Sequence, residues 1–341
     1  MRFSVIVPVY NRPDEVGELL QSLARQTVKD FEVIVVEDGS STPCEDVCSN
    51  HAGILDLHYY SKSNSGPGQS RNYGAARAKG EWLVILDSDV VLSETYVERI
   101  TAATTRATFA AFGGPDRAHE SFTPTQKAIS YAMTSFFTTG GIRGGTARKG
   151  QKTQRALDKF YPRSYNMGIR SDVYRQLGGF SKMRFGEDID FSYRIVEAGF
   201  QTALLPEAWV WHKRRTDFRK FFRQVYNSGI ARIHLTRRHP STLKPVHCLP
   251  AAFAVGTCCC LLLALTGTIG GHGALAVLGL GPLLAYSLAI LCDSTLRNRS
   301  LRVGLLSVPA AFTQLTGYGL GFLHACLRRE EFTAFDRNFY S

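Results

Sequence analysis

Over the first ninety positions, apolar residues come in short runs that stop at polar or glycine-containing turns. Residues 3–9, 31–37 and 83–86 are too short for buried helices and are apolar apart from Ser4, Glu32 and Glu37. That pattern predicts strands of a sheet covered on both faces. Pro8 cannot donate to a ladder and marks the end of the first strand. Between the first two runs, Val16, Leu19, Leu20 and Leu23 fall at helical spacing behind a Pro13-Asp-Glu start. Residues 57–61 read as a third strand, and a helix follows from about Gln69. Alternating strands and helices predict an α/β domain with a largely parallel sheet and helices on both faces. Farther on, Ser93 is placed to cap a helix, and 109–113 reads as a strand. Residues 126–137 read as a helix and 165–170 as a strand, with Ser171 capping the next helix. Residues 200–211 supply one or two late strands.

The pattern then changes. From Pro245 to Cys292 there is no Asp, Glu, Lys or Arg, which suits two membrane helices of about 20 residues each, near 246–267 and 274–292. A third uncharged tract, 303–327, reads either as a further span or as a re-entrant or interfacial hairpin. Before the first tract, 218–235 is amphipathic and basic, as expected of a helix lying in a membrane interface. These patterns divide the chain into an α/β domain at 1–215, the interfacial helix at 216–244, hydrophobic segments at 245–327 and a polar tail at 328–341.

Charge supports that division. The formal charge is +11 over 341 residues. Between His212 and Pro245 stand ten lysines and arginines against one acid, Asp217. Basic residues beside apolar spans mark the cytoplasmic flank. Because that block abuts membrane segments and lacks a stacking platform, nucleic acid is excluded as a partner. The eight cysteines show no paired metal-ligand spacing and fit a reduced, cytosolic catalytic part.

The candidate chemistry lies at strand ends. If Asp87-Ser88-Asp89 is extended, both carboxylates point the same way. Two like charges that close need a cation or a shared proton. A hard ion, Mg²⁺ or Mn²⁺, takes oxygen ligands and commonly holds phosphates; a solvated turn is the other reading. Arg71 and Asn72, in the first turn of the helix from Gln69, are placed to meet a nucleotide or pyrophosphate at a helix amino end. Residues 138–160 interleave glycines with Arg143, Arg148, Lys149, Lys152 and Arg155, as either a lid or a surface loop. Glu187, Asp188 and Asp190 open a helix after Gly186; acids there favour the dipole and also offer a general base.

Val7-Pro-Val-Tyr-Asn11, Val35-Val-Glu-Asp-Gly-Ser40, Gly66-Pro-Gly-Gln-Ser-Arg-Asn-Tyr-Gly-Ala75 and Leu86-Asp-Ser-Asp89, in that order, resemble glycosyltransferase family two. The family often has Asp where Glu37 stands; the charge is kept. The resemblance implies a GT-A fold, a Rossmann-like mixed, mostly parallel sheet, and inverting transfer from a nucleotide-diphosphate sugar. It implies that Pro8, Tyr10, Asn11, Asp38 and Gly39 contact the nucleoside, together with Arg71 and Asn72. Asp87 and Asp89 would hold Mn²⁺ or Mg²⁺ on the diphosphate, with His212 as a third ligand. Gly178-Gly-Phe and Gly186-Glu-Asp match the family's acceptor side, which implies Asp188 as base, Glu187 as its alternative, and Asp190 as an organiser paired with an arginine. Lys213, Arg214 and Arg215 would neutralise the departing diphosphate. Gln224-Val-Tyr-Asn lacks the Arg-Trp of processive synthases, which argues against polymer synthesis.

The resulting expectation is a metal-dependent glycosyltransferase anchored by multiple spans in a bacterial inner membrane and facing the cytoplasm. Its partners are membrane lipids and a lipid-linked or membrane-proximal acceptor used in cell-surface glycan assembly. Transfer to a polyprenyl phosphate and a non-enzymatic membrane scaffold are the alternatives.

Overall fold

The structure, a computed structural model, describes residues 1–117, 122–139, 155–157, 160–212 and 217–328. The glycine- and arginine-rich stretch at 140–154, the cations Lys213, Arg214 and Arg215, and the tail from 329 lie outside the described residues. Two compact units emerge, one drawn from Met1–His119 and Thr146–Lys213, the other from Glu120–Gly145 and Arg214–Glu331.

The first unit begins β1 (Phe3–Val9), α1 (Pro13–Ala24), β2 (Phe31–Asp38), α2 (Glu45–Ser49), β3 (Leu57–Lys62), α3 (Pro67–Ala75) and β4 (Trp82–Leu86). It continues β5 (Val90–Leu92), α4 (Tyr96–Thr104), β6 (Ala111–Gly113) and β7 (Asp116–Arg117). Helices α5 (Pro124–Thr134) and α6 (Phe136–Thr139) belong to the second unit. The first unit then resumes with β8 (Arg155–Leu157), β9 (Asn166–Arg170), α7 (Ser171–Gln176), α8 (Glu187–Glu197), β10 (Thr202–Leu204) and β11 (Val210–His212).

Eight strands form one sheet in the order β3-β2-β1-β4-β9-β6-β10-β8. β3, β2, β1 and β4 run parallel, and β9 runs antiparallel to both β4 and β6. The sheet is the mixed, mostly parallel one expected. Alternation along the strands sorts the core into two layers. Val5, Val7, Val84 and Leu86 pack with α1 and α4 through Leu19, Leu20, Val97 and Ile100. Ile6, Leu83 and Ile85 pack with α7 and α8 through Val173, Phe191 and Ile195. Strand β1 runs one residue past Pro8. Its pairing to β4 stops at Ile6, so Pro8 needs a ladder partner only on the β2 side.

Helix starts differ from expectation in three places. α4 begins at Tyr96, with no side-chain cap from Ser93. α7 has Arg170 at its cap, and the Ser171 hydroxyl instead donates to the Gly80 carbonyl at 2.5 Å. α3 starts at Pro67, because proline suits a first helical position; this moves Arg71 and Asn72 beyond the first turn.

The second unit adds α9 (Phe218–Arg238), α10 (Leu249–Ile269), α11 (Gly273–Asn298) and α12 (Leu301–Leu327) to α5 and α6. Helices α10 and α11 are long and apolar enough to cross a membrane, and they leave Leu261, Leu265, Val277, Leu284 and Leu288 exposed. The tract after them is one continuous helix, α12, not a hairpin. Its small residues let neighbours come close. A Cβ on Gly321 would lie 2.0 Å from the Tyr226 carbonyl oxygen, and one on Gly229 would lie 2.2 Å from that of Tyr318. The expected interfacial face of α9 is therefore covered: Phe221 and Val225 pack with Val303 and Ala310 of α12 and with Ile129 and Met133 of α5. That apolar contact also draws α5 out of the expected 1–215 domain.

Candidate active site

The carboxyl ends of β1, β2 and β4 open onto one site. β4 ends at Leu86, and Asp87-Ser88-Asp89 turns rather than extends. The turn feeds β5, which pairs antiparallel with β11 so that Val90 stands opposite His212. This pairing brings His212 beside Asp89, with His212 Nε2 3.2 Å from Asp89 Oδ1. One ligand atom from each of Asp87, Asp89 and His212 lies within 4.8 Å of the others. The imidazole stacks on Tyr165, centroids 5.1 Å apart. Two carboxylates and an imidazole make a donor set suited to Mn²⁺ and acceptable to Mg²⁺.

Two arginines flank these carboxylates. Arg12, just before α1, reaches Asp89 Oδ2 at 2.6 Å. Arg71 lies almost wholly buried and bridges Asp87 at 2.8 Å and Glu187 at 2.9 Å. Burial alone would lower its pKa; Asp87, Glu187 and Asp188 outweigh that and raise it. Arg71 also lies over the Phe180 ring, 5.2 Å from its centroid. It is therefore a bridge between strand end and helix start rather than a free anion ligand.

Gly186 takes a left-handed conformation (φ 80°) and turns the chain into α8. Glu187 is buried, and loss of solvent, partly opposed by Arg71 and reinforced by Asp188, pushes its pKa up to about 7. Asp188 keeps some exposure and pairs with Arg163 at 2.9 Å. Asp190 accepts from Arg194 at 3.1 Å and from Ser181 at 2.8 Å. Arg194 also donates to the Leu177 and Gly179 carbonyls, so Asp190 and its arginine hold the Gly178-Gly-Phe turn.

Several expected nucleoside contacts have internal partners. The Asp38 carboxylate accepts from Lys62, from Ser65 N at 2.9 Å and from Gly66 N at 2.8 Å. It ties down the turn that leads into α3. Asn11, at φ 54°, accepts from Ser41 N at 2.8 Å and Thr42 N at 3.1 Å, joining the loops after β1 and β2. The Asn72 amide binds Phe180 through both its N–H and carbonyl and also accepts from Tyr174. It ties α3 to the Gly178-Gly-Phe turn. Gly39 is needed for the backbone: its φ is +73°, and a Cβ would meet Asn64 N at 2.7 Å. Pro8 and Tyr10 stand half-buried at the end of β1.

Arg12, Arg163 and Tyr165 were missed by sequence reasoning. Arg12 directly follows the Val-Pro-Val-Tyr-Asn motif, which is the one signal that could have flagged it. Nothing local marks Arg163 or Tyr165.

The sequence profile of Glycosyl transferase family 2 matches residues 4–178. Pre-mycofactocin glycosyltransferase of Mycobacterium tuberculosis is 29% identical over 247 residues, 71% of this chain and 49% of that protein. Validoxylamine A glucosyltransferase of Streptomyces hygroscopicus subsp. jinggangensis is 27% identical over 227 residues, 60% of this chain and 54% of that one. The chain thus spans about half the length of the curated relatives it matches. Among solved structures, the mannosyltransferase PcManGT from Pyrobaculum calidifontis, in complex with GDP-Man and Mn²⁺, aligns with a TM-score of 0.58. It is 16% identical, and the alignment covers 96% of this chain and 88% of that one. S. aureus TarS 1–349 in complex with UDP-GlcNAc aligns with a TM-score of 0.51 at 19% identity, over 68% and 66% of the two chains. These likenesses establish the GT-A fold, and the profile, covering half the chain, carries the assignment: this chain belongs to glycosyltransferase family 2.

Proposed function

We propose that the chain transfers a sugar, with inversion, from a nucleoside diphosphate sugar to a hydroxyl of a membrane-associated acceptor. The observation that carries this reading is the convergence of Asp87, Asp89 and His212 within 4.8 Å at the carboxyl ends of the sheet, where open α/β sheets bind ligands. Asp87, Asp89 and His212 would hold a divalent ion, Mn²⁺ or Mg²⁺, which offsets charge on the leaving diphosphate. The nucleotide sugars bound by PcManGT and TarS support the donor class. Pro8 and Tyr10 line the nucleoside side, on loops fixed by Asn11, Asp38 and Gly39. Arg71 keeps Asp87 oriented. Lys213 and Arg214 add positive charge for the leaving group.

Asp188 serves as the general base. Its carboxylate takes the proton of the acceptor hydroxyl as that oxygen bonds to the anomeric carbon. The bond from that carbon to the diphosphate oxygen breaks on the opposite face. Glu187 is the poorer base because Arg71 engages it. Arg163 holds Asp188 through one oxygen, Oδ2, at 2.9 Å. Helices α10 and α11 attach the enzyme to a membrane, with basic flanks on the cytoplasmic side. That location supports a lipid-linked saccharide acceptor in surface glycan assembly.

The test is Asp188→Asn in detergent-purified protein, screened against nucleotide sugars with Mn²⁺. The expected result is a fall in kcat of about 10²–10⁴ with donor affinity retained. A near-normal rate would remove the base assignment and favour a polyprenyl phosphate acceptor, which is already ionised.

A further inference from the structure

A second group of metal-ligating side chains lies at the amino ends of β2 and β3, away from the strand ends that carry Asp87 and Asp89. Glu32 is the second residue of β2, Asp56 immediately precedes β3, and His58 is its second residue. The parallel register sets Ile34 beside His58, so Glu32, two residues before Ile34, emerges on the same face as His58. One ligand atom from each of the three lies within 4.8 Å of the others.

The Glu32 side chain has no solvent exposure. Its Oε1 accepts from the Ser4 hydroxyl at 2.6 Å and from Lys79 N at 2.7 Å. Its Oε2 is buried without a hydrogen-bond partner among the described residues, and so is His58 Nε2. These two atoms stand 3.6 Å apart, and Nε2 is 3.2 Å from Asp56 Oδ1. The imidazole nitrogen thus faces two carboxylate oxygens and makes a hydrogen bond to neither. An ion pair through a protonated imidazole would aim its N–H at one oxygen. The two distances from Nε2, 3.2 and 3.6 Å, bracket the spacing of ligands around a common centre. Bonds of about 2.0–2.1 Å in a tetrahedral site set neighbouring ligand atoms about 3.3–3.4 Å apart.

We propose that Glu32, Asp56 and His58 form a second metal site, for a divalent transition-metal ion of the zinc class. One imidazole with two carboxylates suits such an ion better than Mg²⁺ or Ca²⁺, which favour all-oxygen shells. Glu32 supplies a buried ligand fixed by Ser4 and Lys79. Asp56, about half exposed, and His58, one-third exposed, leave the ion a route in and a fourth position for water. The bound ion cross-links the starts of β2 and β3 and acts as a structural clamp, separate from the transfer chemistry.

The experiment uses the full chain in detergent, stripped with chelator, in an Asp87→Asn/Asp89→Asn background that disables the other cluster. Zn²⁺ is titrated by calorimetry, and Co²⁺ is added as a spectroscopic probe. The expected result is one equivalent of Zn²⁺ bound, a higher thermal midpoint with Zn²⁺, and a Co²⁺ visible spectrum. His58→Gln and Asp56→Asn, both at partly exposed positions, each weaken binding by about tenfold or more. In the otherwise wild-type chain both leave sugar transfer unchanged. Three results overturn the proposal. One is no Zn²⁺ binding in the disabled background. Another is binding that neither substitution weakens. The third is a chain destabilised by His58→Gln but indifferent to Zn²⁺, which makes the cluster an ion pair only.

Discussion

Arg71 offers the sharpest test of how the site is held together. It is almost wholly buried and donates separately to Asp87 and Glu187 at 2.8 and 2.9 Å. Arg71→Met strands two carboxylates that were organised around one cation. Breaking a buried pair costs about 3–5 kcal/mol, and Asp87, nearly a third exposed, places the loss toward the lower end. For a unit of this size that becomes a fall in Tm of roughly 6–20 °C. Arg71→Lys keeps the charge, but a compact ammonium cannot span both carboxylates. Losing one charge-assisted hydrogen bond costs about 1.5–3 kcal/mol, so its Tm falls less. The chain offers a convenient probe, because its three tryptophans, Trp82, Trp209 and Trp211, all lie in the sheet-bearing unit. Thermal unfolding followed by tryptophan fluorescence therefore reports this unit alone. Adding Glu187→Gln to Arg71→Met removes one stranded charge, so the double variant should be more stable than the two single effects summed, by at least about 1 kcal/mol. Arg71→Lys should also raise the Mn²⁺ concentration needed for half-maximal transfer, since Asp87 loses its orientation. Additive stabilities, or an Arg71→Met protein that melts with the parent, would refute the bridge.

Three further outcomes are expected. His212→Ala removes an imidazole ligand and should raise the half-saturating Mn²⁺ concentration by about tenfold or more, while leaving donor affinity at saturating metal nearly intact; an unchanged metal dependence excludes His212 as a ligand. Glu187 is an acid whose folded pKa, about 7, stands above its ordinary 4.5. The folded state therefore binds the proton more tightly, and this contribution is present at low pH and lost as pH rises through 7. Comparing Glu187→Gln with the parent from pH 5 to 8, by tryptophan-monitored unfolding, should show the parent losing ground as pH rises; a flat difference counts against the shift. Gly229→Leu places side-chain atoms against the Tyr318 carbonyl, where even a Cβ lies at 2.2 Å. Hydrogen exchange across α9 and α12 should quicken while tryptophan-monitored unfolding holds, and unchanged exchange would show that the helices tolerate separation.

Much of the sheet could be read locally. The runs in β1, β2 and β4 are uninterrupted enough that burial on both faces leaves little choice, and each ends where its functional loop begins. Asp87 and Asp89 were visible because a strand of five buried residues stops at two acids. Asp190 was read as pairing with an arginine, and the structure supplies Arg194, one helical turn away. Helix starts were less legible, because Ser93 and Ser171 look like caps in sequence, while their carbonyl and hydroxyl serve Gln26 and Gly80 instead.

What the sequence alone determined was the kind of element at each position and the ligand types within it: α/β alternation, carboxylates at strand ends and an apolar carboxy-terminal region. These follow from near-neighbour periodicity and need no knowledge of partners. Only the tertiary structure decided which distant groups meet. The antiparallel register of β5 with β11 brings His212 to Asp89 across more than a hundred residues. Arg71 joins Asp87 to Glu187 across a similar span, and α12 buries the face of α9 that amphipathicity had assigned to lipid. The reason is physical: an apolar face or a buried charge specifies that it must be covered or paired, but not by what. That choice is made by strand register and close helix approach, which are properties of the assembled fold.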